Sequence, residues 1–421
     1  MPLPELIEIE PLVRPVRAEI TVPGSKSITN RALVLAALAE GVTILKGALW
    51  SEDTEVMVGC LRRLGFEVEV VQDPQEPANR TMRVQGMGGR IPRSGTADHP
   101  LELQVGNAGT AARFLAAMVC LGEGVFRLSG VPRMHERPQA ALLEALRGLG
   151  YRIDSPNGCL PAVVHGQGRR PGSVRVSVEE SSQFASALVL SARHGGWVVE
   201  VDGANPDELP YVEMTRCLVE AFPASGGEFP IEPDASSASY FWAAGQLLGS
   251  DISVRAWPNS GWQIDAEFPR HLPLPPSLSR ERDLGDSIMT AIVLGAFAGR
   301  EVQFTDLGRL RVQECERVQA LRTELTKCGG RIVESGNTLT VQPGPLHGAE
   351  IETYRDHRMA MCFATLGLKV PGMRLRDPAC VRKTFPNFFV KLAAPPPHGL
   401  GASVCEAGSG RLLTGNELLA D

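Results

Sequence analysis

The chain has 421 residues, with 42 Lys and Arg against 48 Asp and Glu, a formal net charge of −6. Hydrophobic residues at 43% and charged residues at 21% exclude a disordered chain, and at roughly 150 residues per domain the length predicts two or three domains. The negative balance excludes a bulk basic field for nucleic acid, so any anion site must be a local cluster of cations.

The chain opens on MPLPELIEIEPLVRP, acidic and punctuated by proline, without the basic start of a signal peptide, which predicts a cytoplasmic protein. Along the chain, a run of helical length starts at Ser27 (SITNRALVLAALA) and another at Asn107 (NAGTAARFLAAMV). An amphipathic helix over Gln139 to Leu149 and a strand over Ser173 to Val178 follow. Further elements are a helix from Ser181 (SSQFASALVLSA), a strand over Trp197 to Val201, and helices from Ser236 (SSASYFWAAGQLL) and Asp286 (DSIMTAIVLGAFA). An amphipathic helix over Val318 to Cys328, a strand over Thr338 to Val341 and a helix from Asp356 (DHRMAMCFATLGL) complete the set. After Leu392 the composition turns to Pro, Gly, Ala and Ser, which predicts a disordered tail over residues 392–421.

Six of these runs share one design: small polar or charged residues open a body with too few charges for a solvated helix. They recur as a loose internal repeat, six strand-and-helix units in two similar lobes. Helix starts carry positive charge and unsatisfied N–H groups, so the polar openings read either as plain caps or as seats for phosphates and carboxylates. Lys26, at the positive end of the first helix, is unfavourable there unless an anion binds; the alternative is a lysine pointing into solvent. Asp286 is likewise either an N-cap or a working carboxylate.

No P-loop, GxGxxG, GxSxG or HExxH pattern is present. The nine cysteines form no CxxC pair, which predicts a reduced protein without structural zinc. No apolar run reaches the ~18 residues of a membrane span.

In order along the chain, PGSKSITNRALVLAALA, GNAGTAARFLA, GVPRMHERP, SSQFASAL, DASSASYF, DHRMAMCF and KTFPNFF resemble the 5-enolpyruvylshikimate-3-phosphate synthase family of enolpyruvyl transferases. The resemblance runs from about residue 5 to 391. It implies an α/β fold, a two-lobed inside-out barrel of six repeated units, three per lobe, closing around its substrates. Residues 24–232 would form one lobe, and residues 1–23 with 233–391 the other. It implies transfer of the enolpyruvyl group of phosphoenolpyruvate to the 5-hydroxyl of shikimate 3-phosphate, without metal or other cofactor.

Carried over by motif position, phosphoenolpyruvate would meet Lys26, Arg133, Arg317, Arg358 and Lys383, with Asn107, Gly109, Thr110 and Gln183 adding amide and backbone contacts. A substrate carrying a carboxylate and a phosphate, roughly three negative charges, suits planar Arg forks. Shikimate 3-phosphate would meet Ser27, Arg31, Ser181, Ser182, Gln183 and Tyr211, with Asp286, Arg309 and Gln313. Asp286 would accept the hydroxyl proton and Glu314 would protonate the methylene carbon.

The chain departs from the family pattern at Gln313 (often Lys), Arg309 (Asn), Glu208 (Ser), Thr29 (Ser) and Phe114 (often Pro). If the stretch is helical, Arg309, Gln313 and Arg317 share a face and Arg309 replaces the missing lysine charge. The related transferase acting on UDP-N-acetylglucosamine commonly has Asn after its first lysine and a loop cysteine; here Ser27 follows Lys26 and PRMHERP has no Cys. A different hydroxy-acid acceptor, or a non-catalytic binding protein on this fold, remain as alternatives. The sequence shows no heptad or apolar stripe, which predicts a monomer.

Overall fold

The computed structural model describes residues 3–202 and 209–420, so the departure at Glu208 lies outside the described residues. The chain divides into two compact units, Gly24–Glu232 and Met1–Pro23 with Pro233–Asp421.

In the unit Gly24–Glu232, helices Lys26–Leu38, Gly109–Met118 and Ser182–Gly195 pack on one another and are buried along almost their whole length. Their Ala-rich, nearly chargeless bodies allow this, because no face needs water. Three sheets pack with them. One runs Gly227–Pro230, Val42–Leu49, Asn79–Gln85, Val68–Gln72, and the second runs Leu101–Gln104, Glu123–Ser129, Ala162–Gln167, Arg152–Asp154. The third is the parallel pair Gly172–Ser177 and Trp197–Asp202.

The other unit repeats the plan with helices Ala235–Leu248, Ile288–Leu294 and His357–Gly367. Its sheets run Ser277–Ser279, Val302–Thr305, Thr338–Gln342, Arg331–Ser335, then Glu350–Glu352, Met373–Arg376, Leu6–Ile9, Val404–Glu406, and last the parallel pair Asp251–Val254 and Arg17–Ile20. All four of the four-stranded sheets share one pattern, a parallel pair followed by two antiparallel pairs. Helical crossovers join parallel pairs such as Leu101–Gln104 with Glu123–Ser129, and short connections join antiparallel pairs such as Arg331–Ser335 with Thr338–Gln342. The repeat expected from helix spacing is therefore also a repeat of sheet topology.

Helix starts obey local caps. Ser25, Ser181, Asp234 and Asp356 each accept a backbone N–H from the first turn of the helix that follows. In the second unit Tyr240, Phe241, Phe385, Phe388 and Phe389 interlock in edge-to-face and tilted ring pairs, which anchors the KTFPNFF segment and the short 3₁₀ turn Pro378–Lys383.

The expected disordered tail is corrected by the structure. Strand Val404–Glu406 pairs with Leu6–Ile9 and supplies the fourth strand of its sheet, while Leu400, Val404, Leu413 and Leu418 are buried. Average composition misled because a few well-spaced apolar residues suffice once they cover an open strand edge. Deleting the chain from Leu400 onward would remove those four buried side chains and uncover the apolar surface and strand edge they pack on, each lost side chain costing about 1.5–3 kcal/mol as an upper bound. The expected result is a fall in Tm of at least 10 °C and concentration-dependent association through Leu6–Ile9, read by calorimetry and sedimentation; an unchanged Tm would refute it.

No helix among the described residues is long and apolar enough to cross a membrane. Among the same residues, no group of His, Cys, Asp and Glu is arranged to hold a metal ion.

Candidate active site

In the unit Gly24–Glu232 the candidate residues lie at the three buried helix openings. Lys26 does not point into solvent: its Nζ pairs at 3.1 Å with Asp53, a carboxylate only 5% exposed. Arg31, one turn on, is buried. It donates from Nε to Thr215 Oγ1 at 2.7 Å, from Nη1 to the Ser27 carbonyl at 2.9 Å, and from Nη2 to Ser186 Oγ at 3.2 Å and the Tyr211 carbonyl at 3.3 Å. Ser181 and Ser182 are buried at the start of their helix, and the Gln183 amide reaches Thr110 Oγ1 at 3.5 Å, joining two helix openings.

Arg133 does not join this group. It is half exposed and pairs with Glu136 at 2.7 Å on its own short helix, Pro132–Glu136. Arg137, four residues on, reaches the NAGT opening, donating from Nη1 to the Asn107 carbonyl at 3.1 Å. Arg137 precedes Pro138, which forces it out of the helix into extended backbone (φ −75°, ψ 139°) and turns its side chain toward the NAGT opening. That steric rule was a sequence signal for choosing the second arginine of PRMHERP.

Gly109 is tightly enclosed by cations. A Cβ there would lie 2.7 Å from Arg137 Nη2 and 2.8 Å from Arg113 Nη1.

In the second unit two carboxylates share a cation cluster. Asp286 is not an N-cap; Ser287 occupies that position without a side-chain cap. The Asp286 oxygens instead meet Arg358 Nη2 at 3.1 Å and Arg280 Nη2 at 3.3 Å, and accept from the Gln313 amide at 3.5 Å. Arg280, only 2% exposed, has no signature in the sequence. Glu314 bridges Arg317 Nη2 at 2.8 Å and Lys383 Nζ at 3.2 Å. Arg358 also donates to Ser236 Oγ, and Arg317 to the side-chain oxygen Oε1 of Gln313.

Asp356, fully buried, orders this cluster. It receives Arg317 Nε at 2.7 Å and Nη2 at 3.2 Å, a forked pair, and caps its own helix through the Arg358 N–H at 2.9 Å. The turn delivering it holds Tyr354 and Arg355 in the left-handed region (φ 55° and 53°), a cost that neighbouring bonds offset. Among these, the Tyr354 hydroxyl donates to the buried Glu324 at 2.7 Å and Thr353 Oγ1 to the Arg376 carbonyl at 2.8 Å.

One expected arrangement is absent. Arg309 lies in a 3₁₀ turn, Gly308–Val312, Gln313 leaves helical geometry (ψ −134°), and the next helix starts at Arg317. Arg309, Gln313 and Arg317 therefore do not line one helical face. The contact between Gln313 and Arg317 forms across the break.

The charges are strongly coupled. Burial alone would favour a neutral Asp286, but Arg358, Arg280 and Arg317 outweigh it and hold its carboxyl well below the usual range. Burial disfavours the Arg317 charge, yet Asp356, Glu314 and Asp286 raise it above an ordinary arginine. Asp265 behaves in the opposite sense: burial and the nearby Asp286 push it up while it accepts the Ser287 N–H at 2.7 Å. Each half therefore presents cations fixed by buried partners, and the second adds two carboxylates in different cation settings.

A model of the family described as EPSP synthase (3-phosphoshikimate 1-carboxyvinyltransferase) matches residues 12–272 and 277–392. The 3-phosphoshikimate 1-carboxyvinyltransferase of Nostoc punctiforme is 37% identical over 429 residues, covering 92% of this chain and 98% of its own. That of Opitutus terrae is 38% identical over 431 residues, with coverage of 93% and 98%. Among solved structures, EPSP synthase from Acinetobacter baumannii is similar with a TM-score of 0.77 at 21% identity, covering 96% of this chain and all of that one. The enolpyruvyl transferase NikO from Streptomyces tendae is similar with a TM-score of 0.70 at 17% identity, covering 98% and 99%. These structural likenesses speak for the fold, the α/β architecture of enolpyruvyl transferases; the family model and the close relatives speak for more, and by them the chain belongs to the EPSP synthase (3-phosphoshikimate 1-carboxyvinyltransferase) family.

Proposed function

We propose that this protein transfers the enolpyruvyl group of phosphoenolpyruvate to the 5-hydroxyl of shikimate 3-phosphate, releasing phosphate. The observation that carries the reading is the pair Asp286 and Glu314, two carboxylates held among Arg280, Arg317, Arg358 and Lys383 in one unit. Addition and elimination need one group to take a proton and another to give one, beside fixed cations for a leaving phosphate.

Glu314 delivers a proton to the methylene carbon of phosphoenolpyruvate, which makes C2 electrophilic. The 5-hydroxyl adds to C2 and its proton passes to Asp286. The tetrahedral adduct then expels phosphate, which takes up the proton held by Asp286, as the new methyl group returns a proton to the Glu314 carboxylate, restoring the double bond and both side chains. Arg358 and Arg280 hold Asp286 as a weak base in the free protein. A bound phosphate or carboxylate that shares the Arg358 charge makes Asp286 a better proton acceptor at the moment it is needed.

Lys26, Arg317, Arg358 and Lys383 bind phosphoenolpyruvate with Asn107, Gly109, Thr110 and Gln183, and Arg137 acts in place of Arg133. Ser27, Arg31, Ser181, Ser182, Gln183 and Tyr211 bind shikimate 3-phosphate, with Arg309 and Gln313 from the second unit. The protein acts on these free small molecules as a cytoplasmic monomer.

Phosphate release with phosphoenolpyruvate and shikimate 3-phosphate tests the reading. Turnover with that pair and none with UDP-N-acetylglucosamine supports it; the reverse, or binding without turnover, overturns it. Gly109→Ala is a finer test. Its methyl group must displace the flexible ends of Arg137 and Arg113. Losing one charge-assisted contact should raise the KM for phosphoenolpyruvate about 10-fold or more, with Tm nearly unchanged.

A further inference from the structure

We infer that Phe114 is the positioning residue that fixes the Arg31 guanidinium for the carboxylate of the acceptor; this rests on the assignment of Arg31 to shikimate 3-phosphate.

Arg31 is 3% exposed, and every partner it has among the described residues is neutral. A cation buried without a counter-charge is costly, and burial pushes its pKa down to about 10. Of its five N–H groups the four contacts leave one, on Nη1, without a protein acceptor among the described residues. An anion is the missing partner, and the direction of approach is set by what holds the plane.

Two sets of contacts hold it. Along the edge, Ser186 Oγ and Thr215 Oγ1 bond each other at 2.8 Å, and Thr215 Oγ1 donates to the Tyr211 carbonyl at 2.8 Å, so the acceptors are themselves anchored. Across the face, the guanidinium carbon sits 5.2 Å from the centroid of the Phe114 ring. Phe114 is fully buried on Gly109–Met118, a helix packed against the one bearing Arg31. A ring face attracts a cation, most strongly where water is excluded, and here it supplies the negative potential that the neutral partners lack. It also closes one side of the guanidinium, leaving the in-plane edge for a carboxylate. An aliphatic side chain of similar bulk would fill the space without that potential.

Steady-state kinetics of the full chain test this. Phe114→Leu should raise the KM for shikimate 3-phosphate about 5- to 20-fold while the KM for phosphoenolpyruvate and kcat stay within about twofold, and Phe114→Tyr should restore the wild-type value. Replacing Phe114 by 4-fluoro- and then 3,4,5-trifluorophenylalanine, which weaken the ring face at nearly constant shape, should raise the acceptor KM stepwise. The fluorinated pair also keeps the test valid if Phe114→Leu fails to fold. A flat fluorine series, or equal changes in both KM values, would overturn the inference. Arg31→Ala separates the two levels: if it leaves the acceptor KM unmoved, the assignment of Arg31 falls and the inference with it. If it raises that KM while the Phe114 series is flat, only the role of Phe114 falls.

Discussion

Asp286→Asn is expected to lower kcat by roughly 10²- to 10⁴-fold, the range for losing a positioned acid or base, while the protein stays folded. The amide keeps the shape of the carboxylate but removes a charge that both Arg358 and Arg280 contact directly. Two buried guanidiniums are then left short of negative charge, so phosphoenolpyruvate, itself an anion, should bind as tightly as before or more tightly. The signature is thus a large loss in kcat with no rise in the KM for phosphoenolpyruvate, measured by phosphate release and by calorimetric titration. A fall in kcat below tenfold would remove Asp286 from the chemistry. The pH behaviour follows from the same contacts. Because the folded carboxyl ionises below its usual range, its ionisation adds stability that is fully present above about pH 4 and is lost only as pH falls below that. Asp286 therefore contributes no acidic limb to the rate profile near neutrality.

Arg317→Ala should be the most destabilising single change at the site, by about 3–5 kcal/mol. The side chain is 1% exposed and forms a forked pair with Asp356, itself fully buried, and a second pair with Glu314. Truncation leaves Asp356 as a buried charge with its main cation gone, and that uncompensated charge, more than the lost attraction, sets the cost. The expected fall in Tm is on the order of 10 °C. Arg317→Lys keeps a charge but not the fork, so it should fall between. Adding Asp356→Asn to Arg317→Ala should recover part of the loss, because the stranded charge disappears; no recovery would mean that the cost lies in packing.

The helix starts were legible because each is decided within about four residues, by a cap and the small residues after it. The motifs that place Lys26, Arg31, Gln183, Asp286 and Glu314 were legible for the same reason: each sits next to its own helix opening or turn. Arg133 and Arg137 show where this stops. Both belong to one short motif, but Arg133 lies inside its short helix while Pro138 forces Arg137 out into extended backbone, and Arg137 reaches the Asn107 carbonyl. The shared face that Arg309, Gln313 and Arg317 would have on a helix does not form, because the backbone breaks at Gln313. Spacing by four means a shared face only while the helix lasts.

The amino-acid order alone determined the buried helices, their repeated plan and the identity of most charged groups, since these rest on short-range sterics and on the pattern of apolar residues. Tertiary structure alone decided which charges meet. Arg280 reaches Asp286, Asp53 reaches Lys26, Phe114 covers Arg31, and the last residues of the chain close a sheet begun by the first. Such pairings depend on the path of chain between distant segments, and a contact between residues far apart leaves no trace in the local pattern of either.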